Sequence, residues 1–577
     1  MKQELAHQIE RALQLLLTRS GDSEDPPIVA LETPRQPEHG DFACNVAMGL
    51  AKRLGQAPRS IAEALVSELG DADGLVDSAE IAGPGFINFR LATSAWQGQV
   101  AEILNAGADY GSARQDKPDR IQVEFVSANP TGPLSTGHGR QAVLGDCISR
   151  LLEKVGFDVT REYYFNDGGR QMRVLGDSVK ARYLEALGRA APPSAEALAD
   201  PEKAWEESRD GLPVAFPRDG YQGDYIASIA SGLIEESGES LVDEPGEGIF
   251  RERAQELIFA EITSTLDSIR VEFAVHFNEK SLYDGGQLDE VIADLREREL
   301  VYEGDGAVWL ASTRLGLDRD RVLVKSTGEP TYLLPDVAYH RDKFRRGFDH
   351  VVDVLGADHI EQFPFVQNAV AALGIEPEKM ELVMHQFVTI TSQGEKVKQS
   401  TRRATFVTVD ELVEQVGTDV FRFFMIERKP EGHLDFDLDL AQDQNWRKNP
   451  AYYVQYAHAR THGLERKAQE AGISMPEHDQ FDALRLDQPE EIELIRKLVE
   501  FPEMVRRAAE TREPHHVAYY LRDLSGLWNP YLQDGVRHKV VSEDAGLTQA
   551  RLALVKAVRI VLREGLGLLG VTAPERM

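Results

Sequence analysis

Cysteine is the scarcest residue in this chain of 577 residues. Only Cys44 and Cys147 are present, which excludes a disulfide framework and a cysteine-based zinc site. Each lies among apolar neighbours, and this favours the interpretation of a small, buried hydrophobic side chain. We therefore expect no structural zinc and no other metal held by protein side chains.

Long apolar runs are also lacking. The chain has no stretch of 18 consecutive apolar residues, and a transmembrane helix needs about that length or more. Near the N-terminus, Leu5, Ile9, Leu13 and Leu16 recur at helical spacing, with Glu4 among them. This segment predicts an amphipathic helix and not a signal peptide. We expect a cytoplasmic protein without membrane attachment.

Basic residues are outnumbered by acidic ones. The 64 Lys and Arg residues against 96 Asp and Glu residues give a formal net charge of −32. Phosphate neutralisation dominates indiscriminate binding to nucleic acid, so this charge argues against that class of protein. Any RNA partner must be met by local basic patches. The length itself predicts about three to four domains and a large core.

Short apolar strands alternate with helical stretches between about 118 and 430. The predicted strands are 121–126, 158–165, 307–312, 321–326, 350–356 and 381–390. Such alternation predicts an α/β fold with a doubly wound parallel sheet. Residues 190–250 interrupt it with Pro, Gly and acidic residues, a composition typical of an insertion, for which a solvated linker is the default interpretation.

Two further units flank the α/β unit. Residues 1–110 combine helical stretches with an extended segment at 79–91, broken at Gly83, and predict an appended α/β unit. After 445 the strand patterns stop, and apolar residues recur at helical spacing between Pro-containing and acidic loops, which predicts an all-α bundle. The expected domains are therefore 1–110, 118–445 and 446–577.

The junction at 123–146 carries the strongest chemical signal. A β-branched run ends in an Asn-Pro-Thr-Gly-Pro turn, a Gly-His-Gly follows, and helical apolar spacing then begins. A strand, tight loop and helix in this order aim unpaired N–H groups at the sheet edge, where phosphates bind. His138, between Gly137 and Gly139, can donate to a phosphate oxygen. Gly-His-Gly alone is also ordinary turn chemistry.

The longer segment that ends at His138 resembles the first signature of class I aminoacyl-tRNA synthetases, in the extended form of the arginyl family. Its residues are Ala128, Asn129, Pro130, Thr131, Gly132, Pro133, Leu134, Ser135, Thr136, Gly137 and His138. The signature usually has two histidines, and Ser135 occupies the first place here. Residues 40–42 and 83–88 resemble the family's N-terminal unit, which meets the tRNA elbow, and 449–577 resembles its anticodon-binding unit.

A basic segment at 396–403 stands out in so acidic a chain. Its candidate phosphate-binding residues are Lys396, Lys398, Ser400 and Arg402. A basic loop after a sheet strand can clamp a triphosphate and neutralise the charge that develops as pyrophosphate leaves. A solvated charge run is the alternative interpretation. The segment resembles the second class I signature, with Gln399 where methionine is usual.

Acidic side chains point to the amino acid that is bound. A guanidinium needs planar acceptors in a fork, and carboxylates backed by a phenol supply them. The resemblance to the arginyl family implies that Glu279, Tyr332 and Asp336 hold the guanidinium of arginine. It also implies that Glu124 and Asn129 hold the α-amino group.

The resemblance implies a complete reaction. The arginine carboxylate attacks the α-phosphate of ATP with Mg²⁺ assistance, and the arginyl group then passes to the 3′ end of its tRNA. His138, Ser135 and Lys398 are the expected catalytic residues, acting through charge and position. The loop with Asp358 and His359 is either a contact to ribose or amino acid, or an ordinary loop. The expected partners are arginine, ATP and tRNA, bound by a monomer.

Aromatic residues in the C-terminal unit are candidates for base stacking on tRNA. The candidate contacts are Tyr452, Tyr453, Tyr456, Arg576 and Met577, although a tyrosine at helical spacing is equally compatible with a core position.

Two other functions stay open. A metabolic nucleotidyltransferase on a related fold would share the Gly-His signature but has no need of the C-terminal bundle. A non-catalytic paralogue is suggested by Ser135 and Gln399.

Overall fold

The computed structural model describes residues 1–577 except 21, 23, 35, 114, 167–168, 358–359 and 398–406. Within this part of the chain the strands form five sheets. Among the helices so described, none combines the length and the apolar character that crossing a membrane requires.

The N-terminal unit is α/β. Its helices are α1 (Lys2–Arg19), α2 (Val46–Leu54), α3 (Pro58–Leu69) and α4 (Thr93–Ala106), and its strands are β1 (Leu31–Glu32), β2 (Phe42–Cys44), β3 (Val76–Ala82) and β4 (Phe86–Leu91). The strands pair antiparallel in the order β1-β2-β4-β3. Leu5, Ile9 and Leu13 are buried, which confirms the amphipathic helix. Gly83 has φ 52° and turns the predicted extended segment into a hairpin.

The central unit contains most of the strands. Its helices are α5 (Thr136–Lys154), α6 (Gly169–Ala186), α7 (Ala195–Ala199), α8 (Asp224–Ser237), α9 (Arg251–Ser268), α10 (Lys280–Asp284), α11 (Gln287–Glu297), α12 (Leu333–Arg345), α13 (Phe363–Ala372), α14 (Val409–Val416), α15 (Thr418–Met425) and α16 (Leu438–Gln442). Its strands are β5 (Arg120–Glu124), β6 (Asp158–Phe165), β7 (Ser208–Arg209), β8 (Leu212–Pro213), β9 (Val275–Asn278), β10 (Val301–Gly304), β11 (Ala307–Leu310), β12 (Arg321–Val324), β13 (His350–Gly356), β14 (Met380–His385), β15 (Val388–Ser392), β16 (Glu395–Lys396) and β17 (Leu434–Asp437).

A five-stranded parallel sheet in the order β14-β13-β5-β6-β9 confirms the doubly wound prediction. In its register Val123 of β5 faces Val352 on one side and Arg161 on the other. The chain runs outward from β5 through β6 to β9 and then returns to the other side of β5. The winding direction therefore changes between β5 and β13, and ligands of open α/β sheets bind at the carboxyl ends of strands at such a point.

The strands predicted at 307–312 and 321–326 do not join the parallel sheet. β11 pairs antiparallel with β10 and β12 in a separate three-stranded sheet. Between β10 and β11, Asp305 and Gly306 have φ of 52° and 74°. A two-residue turn with positive φ joins antiparallel strands, whereas a parallel crossover needs about a dozen residues. The Asp-Gly pair was the sequence signal for this hairpin.

The strand predicted at 381–390 is divided between two sheets. β14 ends at His385 in the parallel sheet, and β15 begins at Val388 in a sheet with β16 and β17. Phe387 lies between the two strands and is 66 % exposed. The division places this bend at the same sheet edge as the end of β13.

Residues 190–250 contain more packed structure than a solvated linker would. α8 packs on α6, and its side chains Ile226, Ile229 and Leu233 are buried. The default interpretation is therefore wrong for this part of the segment. These apolar residues recur at helical spacing, and the Pro-rich and acidic residues around them obscured the pattern.

The C-terminal unit is the expected helical bundle. Its helices are α17 (Pro450–Glu470), α18 (Pro489–Val499), α19 (Phe501–Thr511), α20 (His515–Tyr531) and α21 (Ala545–Leu568). Ile495, Trp528 and Val558 lie in its core, fully buried. The bundle also contacts the central unit, because Arg422 of α15 is buried and donates to the Leu569 carbonyl at 2.9 Å.

Candidate active site

A cavity of 1070 Å³ opens at the carboxyl edge of the parallel sheet, beside the ends of β5 and β13. The predicted residues that line it are Glu124, Ala128, Asn129, Ser135, Thr136, Gly137, His138, Glu279, Tyr332 and Asp336. These residues come from distant parts of the chain, and the fold brings them together. Sites for one small ligand usually measure about 300–1,000 Å³, so this cavity lies just above the upper end of that range.

The other predicted residues lie elsewhere. The remaining signature residues Pro130, Thr131, Gly132, Pro133 and Leu134 are not part of the lining. Lys396 has an exposed side chain in β16, and β16 pairs with β15, whose first residue Val388 lines the cavity. Outside the described residues are Lys398, Gln399, Ser400, Arg402, Asp358 and His359, so the predictions about them stay predictions.

The backbone is strained where β5 ends. Val126 and Ser127 have φ of 67° and 40°, a left-handed conformation that a β-branched residue rarely adopts. In this conformation the Ser127 hydroxyl donates to Glu124 Oε1 at 2.9 Å and accepts from the Tyr164 N–H at 3.1 Å. Glu124, which is 6 % exposed, is thereby anchored in the cavity wall.

Ser135 and His138 form a capping box at the N-terminus of α5. The Ser135 N–H donates to His138 Nδ1 at 3.3 Å, and Ser135 Oγ lies 3.2 Å from the same nitrogen. A backbone N–H can only donate, so Nδ1 is an acceptor and the neutral ring carries its proton on Nε2. Ser135 therefore orients the His138 ring, and Nε2 is the donor.

Two further carboxylates line the cavity where β9 ends and α12 begins. Glu279 Oε2 accepts from the Tyr164 hydroxyl at 2.7 Å, and Asp336 Oδ2 accepts from Gln362 Nε2. Burial raises the pKa of Asp336 to about 7, and the negative charges of Glu124 and Glu279 contribute to the shift. A cavity that disfavours the charged form of a carboxyl group favours a cationic ligand.

Two of the predicted contacts lie at the exposed rim of the cavity. Tyr332 is 69 % exposed, and Asn129 is exposed and donates to Gln171 Oε1 at 2.6 Å. Both side chains can therefore contact a ligand at the cavity mouth.

Sequence reasoning missed Tyr164, Gln362 and Lys343. Tyr164 is the residue before the last one of the predicted strand 158–165. Ligands of open α/β sheets bind at the carboxyl ends of the strands, so the position of Tyr164 could have indicated a site residue. Gln362 and Lys343 carried no comparable signal. Lys343 lies in a charged helical segment and contacts Glu124 and Asp353.

One group of metal-ligating side chains occurs in the part of the chain that the structure describes. The ligand atoms of Glu513, His515 and His516 lie within 4.8 Å of one another. His516 Nε2 is 2.9 Å from Glu513 Oε2, a contact that needs no metal. The group lies at the N-terminus of α20, where the helix dipole disfavours a cation. We assign it no metal.

Cys44 and Cys147 are buried, free thiols.

Three family models match the chain in succession. The arginyl tRNA synthetase N terminal domain matches residues 3–91. The catalytic domain of class I (R) tRNA synthetases matches residues 99–430. The DALR anticodon binding domain matches residues 454–577.

Similar proteins extend along the whole chain. The arginine–tRNA ligase of Desulfotalea psychrophila is 46% identical over 547 residues, which cover 95% of this chain and 94% of that protein. The arginine–tRNA ligase of Salinibacter ruber is 45% identical over 580 residues and 100% of both chains. The structure of Thermus thermophilus arginyl-tRNA synthetase has the same fold, with a TM-score of 0.73 at 24% identity over 100% of both chains.

The parallel sheet and the signature at its switch point, together with the matched catalytic model, define a class I aminoacyl-tRNA synthetase. Within this class, the chain belongs to the arginyl-tRNA synthetase family. It is an ATP-dependent enzyme that joins arginine to tRNA. The nucleotidyltransferase and the non-catalytic paralogue are not supported, because all three matched units are those of a tRNA synthetase.

Proposed function

We propose that the cavity binds arginine by both of its positively charged groups. Glu279 and Asp336, with Tyr332, hold the guanidinium, and Glu124 with Asn129 holds the α-ammonium. The observation that carries this proposal is that Glu124, Glu279 and Asp336 meet in one cavity. A ligand with two cationic groups relieves the repulsion among these carboxylates, whereas a ligand with a neutral side chain supplies no cation to Glu279 and Asp336.

ATP binds along the signature in this proposal. His138 Nε2 and the N–H groups at the start of α5 donate to its phosphates, as the helix dipole favours. Lys396, Lys398 and Arg402 neutralise the charge on the leaving pyrophosphate, and Ser400 donates a hydrogen bond to it. Mg²⁺ enters with ATP, since this ion is bound mainly by phosphates and water. No zinc takes part.

The reaction has two steps. A carboxylate oxygen of arginine attacks the α-phosphorus of ATP, which forms arginyl-adenylate and releases pyrophosphate. A terminal ribose hydroxyl of tRNA then attacks the arginyl carbonyl carbon, and AMP leaves. The protein makes no covalent bond in either step, so catalysis comes from in-line positioning, from hydrogen bonds of His138 and Ser135, and from the positive charge of Lys398.

A panel of amino acids tests this proposal. Charging of tRNA should be specific for arginine, because lysine lacks the planar fork of donors and citrulline lacks the positive charge. The measurement compares kcat/KM for arginine, lysine and citrulline with the same tRNA. Comparable charging with lysine or citrulline would contradict the assignment of Glu279 and Asp336.

The tRNA is proposed to contact both flanking units, with residues 1–110 at its elbow and 446–577 at its anticodon. Trp446 stacks on Tyr456 with ring centroids 4.0 Å apart, and the Arg447 guanidinium lies 4.8 Å from the Trp446 centroid. Beside them is a pocket of 330 Å³ that Arg447, Lys448 and Tyr453 line. Cations next to aromatic rings are typical of binding to single-stranded RNA.

The other candidate contacts differ in exposure. Tyr452 is partly buried and packs against the core of the bundle, which favours a structural role. Arg576 and Met577 are exposed at the end of the chain, where a nucleotide can reach them. Tyr453 and Tyr456 are also partly buried, but they stack on Trp446. We therefore retain Tyr453, Tyr456, Arg576 and Met577 as the stronger candidates.

The RNA contacts should be visible in the salt dependence of binding. Substitution Arg447→Gln is expected to weaken tRNA binding and to reduce the slope of log affinity against log salt by about one. The measurement is the dissociation constant of tRNA at several salt concentrations. The matched control is Arg314→Gln, since Arg314 is a surface arginine whose Nη1 donates to the Glu299 carbonyl away from the bundle. Equal slopes for the two variants would contradict this placement of the tRNA.

We also propose that the enzyme works as a monomer in the cytoplasm. The product, arginyl-tRNA, is used at the ribosome, so synthesis in the same compartment supplies protein synthesis directly.

A further inference from the structure

A lysine is fully buried directly behind the cavity wall. Lys343 of α12 is 0 % exposed, and its Nζ lies 2.6 Å from Glu124 Oε2 and 2.7 Å from Asp353 Oδ1. The same nitrogen lies 4.3 Å from the centroid of the Tyr339 ring. A lysine without solvent contact is rare, and burial of its charge is tolerated only when partners of opposite charge surround it.

Lys343 is held in its charged form. Desolvation lowers the pKa of a buried ammonium, but Asp353 and Glu124 outweigh it and raise the pKa of Lys343 above its ordinary value. Asp353 is fixed on its other side, because Asp353 Oδ2 lies 2.8 Å from His340 Nε2. The ammonium group therefore has a fixed position between two carboxylates.

Lys343 also fixes the second oxygen of Glu124. Ser127 donates to Oε1 and Lys343 donates to Oε2, so the carboxylate cannot rotate. An ionised carboxylate has about four acceptor positions, and Glu124 lines the cavity. Positions on both oxygens therefore remain for a ligand. Without Lys343, Oε2 would lose this contact, and the carboxylate would be held through Oε1.

We propose that Lys343 is a positioning residue that keeps Glu124 oriented toward the α-ammonium of arginine. Through Glu124, it makes the enzyme prefer an α-amino acid over a guanidino acid without an amino group. This inference rests on the proposed role of Glu124 in the arginine site. Lys343 itself does not touch the substrate.

The test compares two ligands that differ in one group. Arginine and 5-guanidinopentanoic acid share the guanidinium, the carbon chain and the carboxylate, and the second lacks the α-amino group. The measured quantity is the ratio of their dissociation constants, obtained by titration calorimetry. A general loss of protein stability alters the dissociation constants of both ligands alike. Loss of the contact to the α-ammonium weakens only arginine binding and therefore alters the ratio.

Three variants separate Lys343 from its surroundings. Lys343→Met alone removes the ammonium that two buried carboxylates share, which costs stability, so the comparison uses Asp353→Asn and the double variant Lys343→Met/Asp353→Asn. The matched control is Arg341→Met on the same helix. Arg341 is 5 % exposed and pairs with Glu290 and Asp294, each at 2.6 Å, and neither of these carboxylates lines the cavity. Thermal unfolding verifies that each variant is folded.

The wild type, Asp353→Asn and Arg341→Met should bind arginine about tenfold or more tightly than 5-guanidinopentanoic acid, as a charge-assisted hydrogen bond implies. In Lys343→Met/Asp353→Asn the ratio should fall to within about threefold, with little change for 5-guanidinopentanoic acid. An unchanged ratio in the folded double variant would overturn the role of Lys343. Equal binding of both ligands by the wild type would instead refute the proposed role of Glu124.

Discussion

Replacing His138 by alanine is expected to lower the rate of arginine activation by about a hundredfold or more, in the range found for a lost transition-state donor. The hydrogen bond from the Ser135 N–H fixes Nδ1 as an acceptor, so the variant loses the Nε2 donor at the phosphates. Arginine binding should change little, because its acceptors lie on other elements. The measurement is single-turnover formation of arginyl-adenylate, with the arginine dissociation constant determined in parallel.

Ser135→Ala is the matched control for this experiment. It removes the N-cap hydroxyl of α5, a change that costs about 1 kcal/mol of stability, but the Ser135 N–H that orients the ring remains. The activation rate should therefore fall much less than in His138→Ala. A rate for His138→Ala within a fewfold of the wild type would mean that the Gly-His-Gly turn is only structural.

Substitution Asp336→Asn is expected to raise the KM for arginine by about a hundredfold or more while the KM for ATP changes little. The amide keeps the shape of the side chain but cannot neutralise a guanidinium, and an uncompensated buried charge costs several kcal/mol. Steady-state kinetics with each substrate varied in turn measure both constants. A defect confined to ATP would show that Asp336 has been placed at the wrong substrate.

The raised pKa of Asp336 leads to a prediction of how arginine binding depends on pH. The pKa of Asp336 is raised to about 7 by burial, so without substrate the side chain is largely protonated below that pH. Binding of a cation requires the ionised form, so arginine affinity should rise as pH increases from about 6 to 8 and then level off. Asp336→Asn should remove this rise. A slope that persists in the variant would assign the titration to another group.

The signature and the pocket residues were predictable from the sequence for different physical reasons. The junction between β5 and α5 can be recognised from a short stretch of sequence. Strand, turn and helix residues follow one another there, and His138 lies at the start of the helix. Glu279 and Asp336 lie far apart in sequence, and only the resemblance to the arginyl family predicted that they belong to the same site. The parallel sheet was predictable in class because short strand patterns alternate with helical stretches, although β9 of this sheet was not among the predicted strands.

What the sequence could not show depends on contacts between distant residues. Lys343 lies among charged neighbours and would be solvated on an isolated helix, and its burial follows from pairing with Glu124, 219 residues away. β11 resembles a strand of the parallel sheet in composition, and only the Asp305-Gly306 turn before it sets its direction. The positive φ of Val126 also arises from tertiary constraint, since no local propensity favours it.

Exchange of pyrophosphate into ATP, measured with each amino acid in the presence and absence of tRNA, tests the central claim most directly. If the cavity activates arginine as proposed, exchange should require arginine and should fail with lysine and citrulline. The resemblance of the chain to the arginyl family implies that exchange also depends on tRNA. Exchange that proceeds equally well with another amino acid would contradict the account, as would its absence with arginine and tRNA both present.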